Sequence, residues 1–309
     1  MRIALLCATR RGLAVLSELR ALRPDADIAA FSFREEPWEP PFLAATGELA
    51  ATLRARFMEI PRSDTGLLAA GCENADLLLT VNWRSYVPPA IYRLPRLGAF
   101  VFHDSLLPEY RGFSPTVWAM VNGEDRTGVS LFEMSEEIDA GDIVDQVAVP
   151  IGATESIGTV TERVTGAYLD LLRRNLSALC SGGAPRRAQD HARATYSCRR
   201  LPEDNRIDWT QPTQPIFNLI RAVSAPYPGA FTYLDGRRLR VWEASRIDAP
   251  SYVGRIPGRV VSVRRGLGSV VLTGDGALLL TRVQPEEFTQ PICAAEVLDR
   301  LSQTLGEDA

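Results

Sequence analysis

Gly98-Ala-Phe-Val-Phe-His-Asp-Ser-Leu-Leu-Pro-Glu-Tyr-Arg-Gly112 is the stretch from which the fold can be read. Ala99 to Phe102 is a short buried strand, and Ser105 to Gly112 carries Pro108 and Gly112, which punctuate a loop. His103, one of two histidines in the chain, therefore sits where a strand ends. In open α/β sheets the ligand crevice lies outside the carboxyl ends of the strands, so an imidazole placed there can face a substrate. The other reading is a core histidine that only satisfies its own hydrogen bonds. Downstream, Glu133-Met-Ser-Glu-Glu-Ile-Asp-Ala-Gly-Asp142 crowds a second strand end with carboxylates. An imidazole and a nearby acid are the minimum for moving a proton.

Outward from this stretch, Arg2 to Cys7 reads as a buried strand, Gly12 to Leu22 as a helix and Asp27 to Phe33 as a second strand, the opening of a doubly wound sheet. The first turn, Ala8-Thr-Arg-Arg-Gly12, lacks GxGxxG, so nothing points to a dinucleotide. Arg34 to Pro41 is an acidic, proline-rich loop, and Phe42 to Arg56 and Asp64 to Cys72 read as helices. Asp76 to Val81 is a strand that runs into Asn82-Trp-Arg-Ser-Tyr-Val-Pro88. Ser114 to Val121 reads as a helix entered through a serine cap with Pro115 in its first turn. Thr127 to Met134 and Ile143 to Val149 return as strands, and Ser156 to Cys180 is a long amphipathic helix. Ser181-Gly-Gly-Ala-Pro-Arg-Arg187 is rich in breakers and charge, as a linker is. A helix at Pro215 to Ala225 then precedes strands at Ala230 to Leu234, Arg238 to Ala244, Gly258 to Val263, Ser269 to Leu272 and Ala277 to Arg282, a small barrel. The expected division is a first domain at 1–181, a linker at 182–204 and a barrel domain at 205–309.

Composition narrows the class. A chain of 309 residues with 46% hydrophobic residues can fill two cores. No apolar run approaches the roughly 20 residues of a membrane span, and the start is too short in its apolar part for a signal peptide. A cytoplasmic protein without membrane contact is expected. The five cysteines are scattered, odd in number and without CxxC spacing, so neither a disulfide framework nor a metal site is indicated. A net charge of −4 with no basic block argues against nucleic acid. Every base is arginine, which excludes Schiff-base chemistry through a lysine.

HxSLLPxYRG, followed by a Gly-Val-x-Leu strand and then Ile-Asp-x-Gly-Asp, resembles the formyltransferases that use 10-formyl-tetrahydrofolate. These include methionyl-tRNA formyltransferase, the sugar N-formyltransferases and the hydrolase domain of 10-formyltetrahydrofolate dehydrogenase. The similarity is specific over about Asp76 to Asp145 and looser across nearly the whole chain. It implies a Rossmann-like formyltransferase domain followed by an OB-like barrel, with Pro202 to Trp209 similar to the start of the family's second domain. The family's catalytic set, Asn-x-His plus the first Asp of Asp-x-Gly-Asp, falls on position 101, His103 and Asp139. Here Val101 stands where the amine formylators carry Asn. A valine cannot hydrogen-bond a developing oxyanion, and losing such a donor costs roughly 10²–10³ in rate without abolishing a site. The hydrolase domain likewise bears an aliphatic residue two before its histidine.

The resemblance also implies roles. His103 takes the acceptor's proton, while Asp139 fixes the imidazole tautomer and favours its cation. The two groups are expected within hydrogen-bond reach, directly or through one water. 10-Formyl-tetrahydrofolate is expected across Asn82, Trp83, Arg84, Ser85 and Tyr86 on one loop and Met134, Ile138 and Asp142 on another, both loops leaving strand ends on the same edge. Ser105, Tyr110 and Arg111 would face the acceptor, Arg111 either holding an anion or only pinning its loop. Asp104, Glu109 and Glu137 read as solvated acids. The acceptor implied is an amine of a small or carrier-bound molecule. tRNA is disfavoured because the tRNA enzymes carry a basic loop where this chain has Arg34 to Pro41. Water or a thiol as acceptor, another one-carbon transfer that tolerates Val101, and a folate-binding protein without catalysis are the alternatives; the presence of both His103 and Asp139 speaks against the last. A homodimer is one assembly open to the chain, and the sequence does not name the oligomeric state.

Overall fold

Six residues at the start of the chain, nearly all apolar, form β1 (Arg2–Cys7), in which Ile3 to Cys7 are completely shielded from solvent. A strand buried on both faces belongs inside a parallel sheet covered by helices, and that is its place in this computed structural model, which describes residues 1–37, 39–61 and 64–306. Trp38 of the acidic loop and the last three positions of the expected barrel range lie outside the described residues.

The sheet takes β2 (Asp27–Ser32), β3 (Arg56–Glu59), β4 (Leu77–Val81) and β5 (Ala99–His103). After the two-residue β6 (Arg111–Gly112), it is completed by β7 (Arg126–Glu133) and β8 (Ile143–Pro150). The spatial order is β3-β2-β1-β4-β5-β7-β8, parallel up to β5 and antiparallel beyond it. This is the expected doubly wound arrangement, with its change of direction at β1 and β4. The helices along this part of the chain are α1 (Thr9–Leu22), α2 (Leu43–Thr52), α3 (Thr65–Cys72), α4 (Pro89–Tyr92), α5 (Pro115–Val121) and α6 (Ile157–Ser181). On one face, Ala4, Leu6, Ala29, Phe31 and Leu78 pack with Leu68, Cys72, Ile91 and Tyr92.

Two local expectations need correction. The helix read through Arg56 ends at Thr52, because Arg54 turns to a φ of 53° and the chain enters β3. All four β3 residues are exposed, so this edge strand shows no apolar alternation to read. Ser114 does not have an ordinary cap conformation: it takes a φ of 51° before α5 begins at Pro115.

The second body is antiparallel. Its helix α7 (Thr213–Val223) packs on β10 (Ala230–Leu234), β11 (Arg237–Arg246) and β14 (Ala277–Pro285) of a sheet that also holds β12 (Val260–Arg264), β13 (Gly268–Leu272) and β15 (Ile292–Cys293). Thr304 and Leu305 bridge Arg259 and Leu234, so the two outer strands are joined into the expected OB-like barrel. The bodies do not follow the expected boundaries. The first comprises 1–116, 126–150 and 161–199, and the second 117–125, 151–160 and 200–309. Most of the segment read as a linker is thus part of the first body. There, β9 (Tyr196–Ser197) pairs in parallel with β6.

Candidate active site

β5 delivers His103 to the edge of the sheet, where the ring is 8% exposed and closed between two partners. Nε2 lies 2.8 Å from the Tyr110 carbonyl. A carbonyl only accepts, so Nε2 carries a proton and the lone pair of the neutral ring is on Nδ1. Nδ1 in turn faces Asp139 Oδ2 at 3.6 Å. That is longer than a hydrogen bond and within ion-pair range once the ring is protonated. The tautomer is therefore set by Tyr110, a task the sequence reading gave to Asp139. Oδ2 is itself held by the Gly112 N–H at 2.7 Å.

Both partners sit on strained backbone. Tyr110 has a φ of 58° and Asp139 a φ of 53°, conformations that persist only where the surroundings over-determine them. Two glycines make the surroundings possible. A Cβ on Gly112 would come within 2.7 Å of the Ser197 carbonyl, and one on Gly141 within 1.8 Å of the Glu133 carbonyl, so neither loop could close with a larger residue.

The folate loops do not leave one edge. β7 is antiparallel to β5, with Phe100 opposite Glu133 and His103 opposite Ser130, so Met134 emerges at the far end of β5 and its N–H binds the Ala99 carbonyl. The loop then folds back along the sheet until Asp139 meets His103. The loop after β4 does start at the His103 end, since Val81 lies opposite Phe102. Ile138 and Tyr86, 60% and 57% exposed, present apolar surface to solvent, and Asp142 is exposed as well.

Other expected contacts are turned inward. Trp83 stacks edge-on against Phe33 at 5.2 Å and packs on Ala8, Phe33 and Phe42. Arg84 pairs with Glu39 of the acidic loop, and Asn82, at a φ of 52°, accepts from the Thr9 hydroxyl at 3.4 Å; Ser85 is half-buried beside them. Ser105 is 2% exposed and its hydroxyl closes the turn onto the Glu109 carbonyl at 2.7 Å. Arg111 is 1% exposed: Nε and Nη2 bind Gln189 Oε1, Nη1 binds the Tyr196 hydroxyl and Nη2 reaches His191 Nδ1. Ser105 and Arg111 thus shape the loop and do not face an acceptor.

Asp104 is no solvated acid either. It is 8% exposed, its Oδ2 lies 2.5 Å from Arg11 Nη1, and Oδ1 accepts from the fully buried Tyr168 hydroxyl. Burial, followed by the Asp104 charge, pushes Tyr168 well above its ordinary range. Glu109 is half-buried and paired with Arg193, while Glu137 is exposed as expected. Val101, half-buried, packs on Leu107, Phe132 and Ile143, which offer no side-chain donor.

Sequence reading missed Gln189, Thr195, Tyr196 and Ser197, which bind the loop carrying Tyr110 to Gly112 and the loop carrying Asp139. One signal was available: the breakers end at Pro185, and residues 186–197 are dense in hydrogen-bonding side chains.

Two family models match the chain: "Formyl transferase" over residues 61–175 and "Formyl transferase, C-terminal domain" over residues 201–298. The methionyl-tRNA formyltransferase of Moorella thermoacetica is 41% identical over 210 residues, covering 68% of this chain and 66% of that protein. That of Streptococcus pyogenes is 37% identical over 211 residues with the same coverage. The matched stretch spans just under two thirds of these relatives' own length. Among solved structures, the N-formyltransferase of Helicobacter canadensis, crystallised with folinic acid and dTDP-3-aminofucose, aligns with a TM-score of 0.66 at 14% identity over 94% of this chain and 99% of its own. HypX of Aquifex aeolicus, in complex with tetrahydrofolic acid, aligns at 0.62 and 20% identity over 96% of this chain and 47% of its own. These structural likenesses carry the two-domain fold. The expected exclusion of nucleic acid finds no support here, since both named relatives are methionyl-tRNA formyltransferases. Among the described residues no helix is long and apolar enough to cross a membrane, and no cluster of His, Cys, Asp and Glu could hold a metal ion.

Proposed function

Because the chain belongs to the formyl transferase family, we propose that it moves the formyl group of 10-formyl-tetrahydrofolate to an amine, with His103 and Asp139 handling the proton. The observation that carries this reading is an imidazole whose Nε2 is committed to a carbonyl and whose open Nδ1 looks at a pinned carboxylate. The amine nitrogen attacks the formyl carbon, and its surplus proton passes to Nδ1. Asp139 stabilises the imidazolium, which returns the proton to the folate nitrogen as the carbon–nitrogen bond breaks. Tyr86 and Ile138 are the exposed apolar side chains available to the folate ring. Asn82, Arg84, Ser85 and Met134 shape its loops, and Asp142 closes its own, its carbonyl accepting from the Glu133 N–H.

For the acceptor we infer an amine on a small or carrier-bound molecule. The loop 34–41 carries glutamates, Glu39 bound to the Glu36 N–H and to Arg84 and Glu35 to the Leu43 N–H at the start of α2, where a phosphate backbone would call for bases. The tRNA-borne amine of the relatives is the competing acceptor. A second reading, water as acceptor, follows from Val101: its apolar neighbours leave the tetrahedral oxygen without a side-chain donor at that point. One experiment separates the three. The protein is incubated with 10-formyl-tetrahydrofolate and, in parallel, methionyl-tRNA, nucleotide-linked amino sugars and free diamino acids, and the products are followed by mass spectrometry. Formylated amine supports transfer, formate without formylated product supports hydrolysis, and unchanged formyl-folate in every arm refutes both.

A further inference from the structure

The segment 187–197 reads in the sequence as linker and falls between the two family-model matches, yet it is tied to both sides of His103. On one side, Gln189 Nε2 donates to the Asp139 carbonyl at 2.8 Å and the Gly141 carbonyl at 2.7 Å, which fixes the two residues around the strained Asp139 backbone. The same side chain is 5% exposed, and its Oε1 accepts from the buried Arg111, so the amide cannot swing away. On the other side, Thr195 Oγ1 accepts the Tyr110 N–H at 2.9 Å, and the Thr195 main chain binds Pro108 and Arg111. Tyr110 is the residue whose carbonyl receives the His103 Nε2 proton. A strained peptide does not hold its place without such ties.

We propose that Gln189 and Thr195 are positioning residues, Gln189 setting the carboxylate that faces Nδ1 and Thr195 setting the carbonyl that faces Nε2. The role for catalysis rests on the formyl-transfer reading, while the positioning itself does not. Gln189 acts as a hinge pin with two polarities: its amide hydrogens hold the Asp139 loop and its oxygen holds Arg111. Gln189→Glu keeps the oxygen and the shape, strengthens the Arg111 contact and turns the other end against two carbonyls. It therefore breaks the Asp139 side alone. Thr195→Val keeps shape and removes the acceptor for Tyr110.

The test is made on the full chain by ¹⁵N spectroscopy of the imidazoles, with turnover measured alongside. There are two histidines, so the His103 ring signals are those lost in His103→Gln. We expect Gln189→Glu to move the Nδ1 resonance in the direction seen in Asp139→Asn, and to add nothing further in the Asp139→Asn background. We expect Thr195→Val to move the Nε2 resonance instead. In turnover, Gln189→Glu lowers kcat about tenfold or more with little change in KM, and it is non-additive with Asp139→Asn. A folded Gln189→Glu protein with wild-type His103 resonances overturns the proposal. If Gln189→Glu does not fold, Gln189→Ala takes its place, and failure of both to fold overturns positioning in favour of a purely structural strap. If the resonances move as expected while no formyl transfer is found with any acceptor, the positioning stands and the functional reading falls.

Discussion

The loop 82–86 and the strap 187–197 serve the same sheet edge by opposite means. The loop has the composition of a binding segment, with aromatic, polar and charged side chains in a row, and most of them are spent on the protein itself: Trp83 on Phe33, Arg84 on Glu39, Asn82 on Thr9. The strap falls where the sequence reads as a spacer and supplies the hydrogen bonds that fix the residues on both sides of His103. Side-chain identity advertises what a residue can touch. It does not say which backbone a residue will hold, and at this site the backbone carries the geometry.

The widest break of this comparison is at the histidine. If Tyr110 and Asp139 serve only to hold an imidazole that moves a proton, His103→Ala should lower turnover by about 10²–10⁴. Asp139→Asn should do less, and the double variant should be no worse than His103→Ala, because the carboxylate has nothing to stabilise once the ring is gone. Multiplying effects in steady-state kinetics would show two independent roles and dissolve the unit.

Next in size is the buried ion pair of the residue that follows His103. Arg11 and Asp104, each with side chains about 10% exposed, form an ion pair out of water. Removing one member should cost about 3–5 kcal/mol in denaturant unfolding, and replacing both, Arg11→Met with Asp104→Asn, should recover part of it. The neighbouring Tyr168 adds a pH signature. Its proton is retained in the folded protein, where burial raises it well above the ordinary range, and is lost from the unfolded chain near pH 10. Stability is thus fully present below about pH 10 and falls as the pH rises beyond it. Tyr168→Phe should flatten that fall in unfolding measured from pH 9 to 11.

How much of the molecule was legible depends on the range of each interaction. β1, β5 and the barrel strands show themselves through local apolar runs, and His103 at a strand end follows from the same pattern. The pairing of Asp104 with Arg11 spans 93 positions and that of Arg111 with Gln189 spans 78. No local periodicity encodes either. The direction of β7 was missed for a related reason. An apolar strand reads the same in both directions, and only the register, Phe100 opposite Glu133, shows that Met134 leaves from the wrong edge.

The two arginines expected in or near the site turn the loop–strap contrast into a measurement. Arg111 is buried and makes charge-assisted bonds to Gln189, Tyr196 and His191, so Arg111→Met should cost on the order of 3 kcal/mol. Arg84, 30% exposed in its side chain, pairs with Glu39 near the surface, and Arg84→Met should cost about 1 kcal/mol or less. Equal costs in parallel urea titrations would erase the distinction between a strap that holds the site and a loop that merely borders it.

The smallest expected effect on turnover is at Val101, and it tests whether the main chain has taken over from a side chain. Val101 is half-buried against Leu107, Phe132 and Ile143, so an asparagine there keeps one flank in apolar contact and must turn its amide toward the open side. An amide that finds a partner there is nearly neutral, and one without costs about 1–3 kcal/mol. A new donor beside the developing oxyanion should raise amine formylation, by about tenfold if it recovers even part of the 10²–10³ such donors supply. If the valine instead suits a different acceptor, Val101→Asn should depress the native reaction while unfolding stays near wild type. Measuring stability together with both amine formylation and formate release separates these cases. A fall in the native rate without loss of stability would mean that the strap holds an imidazole for water or another acceptor, and not for an amine.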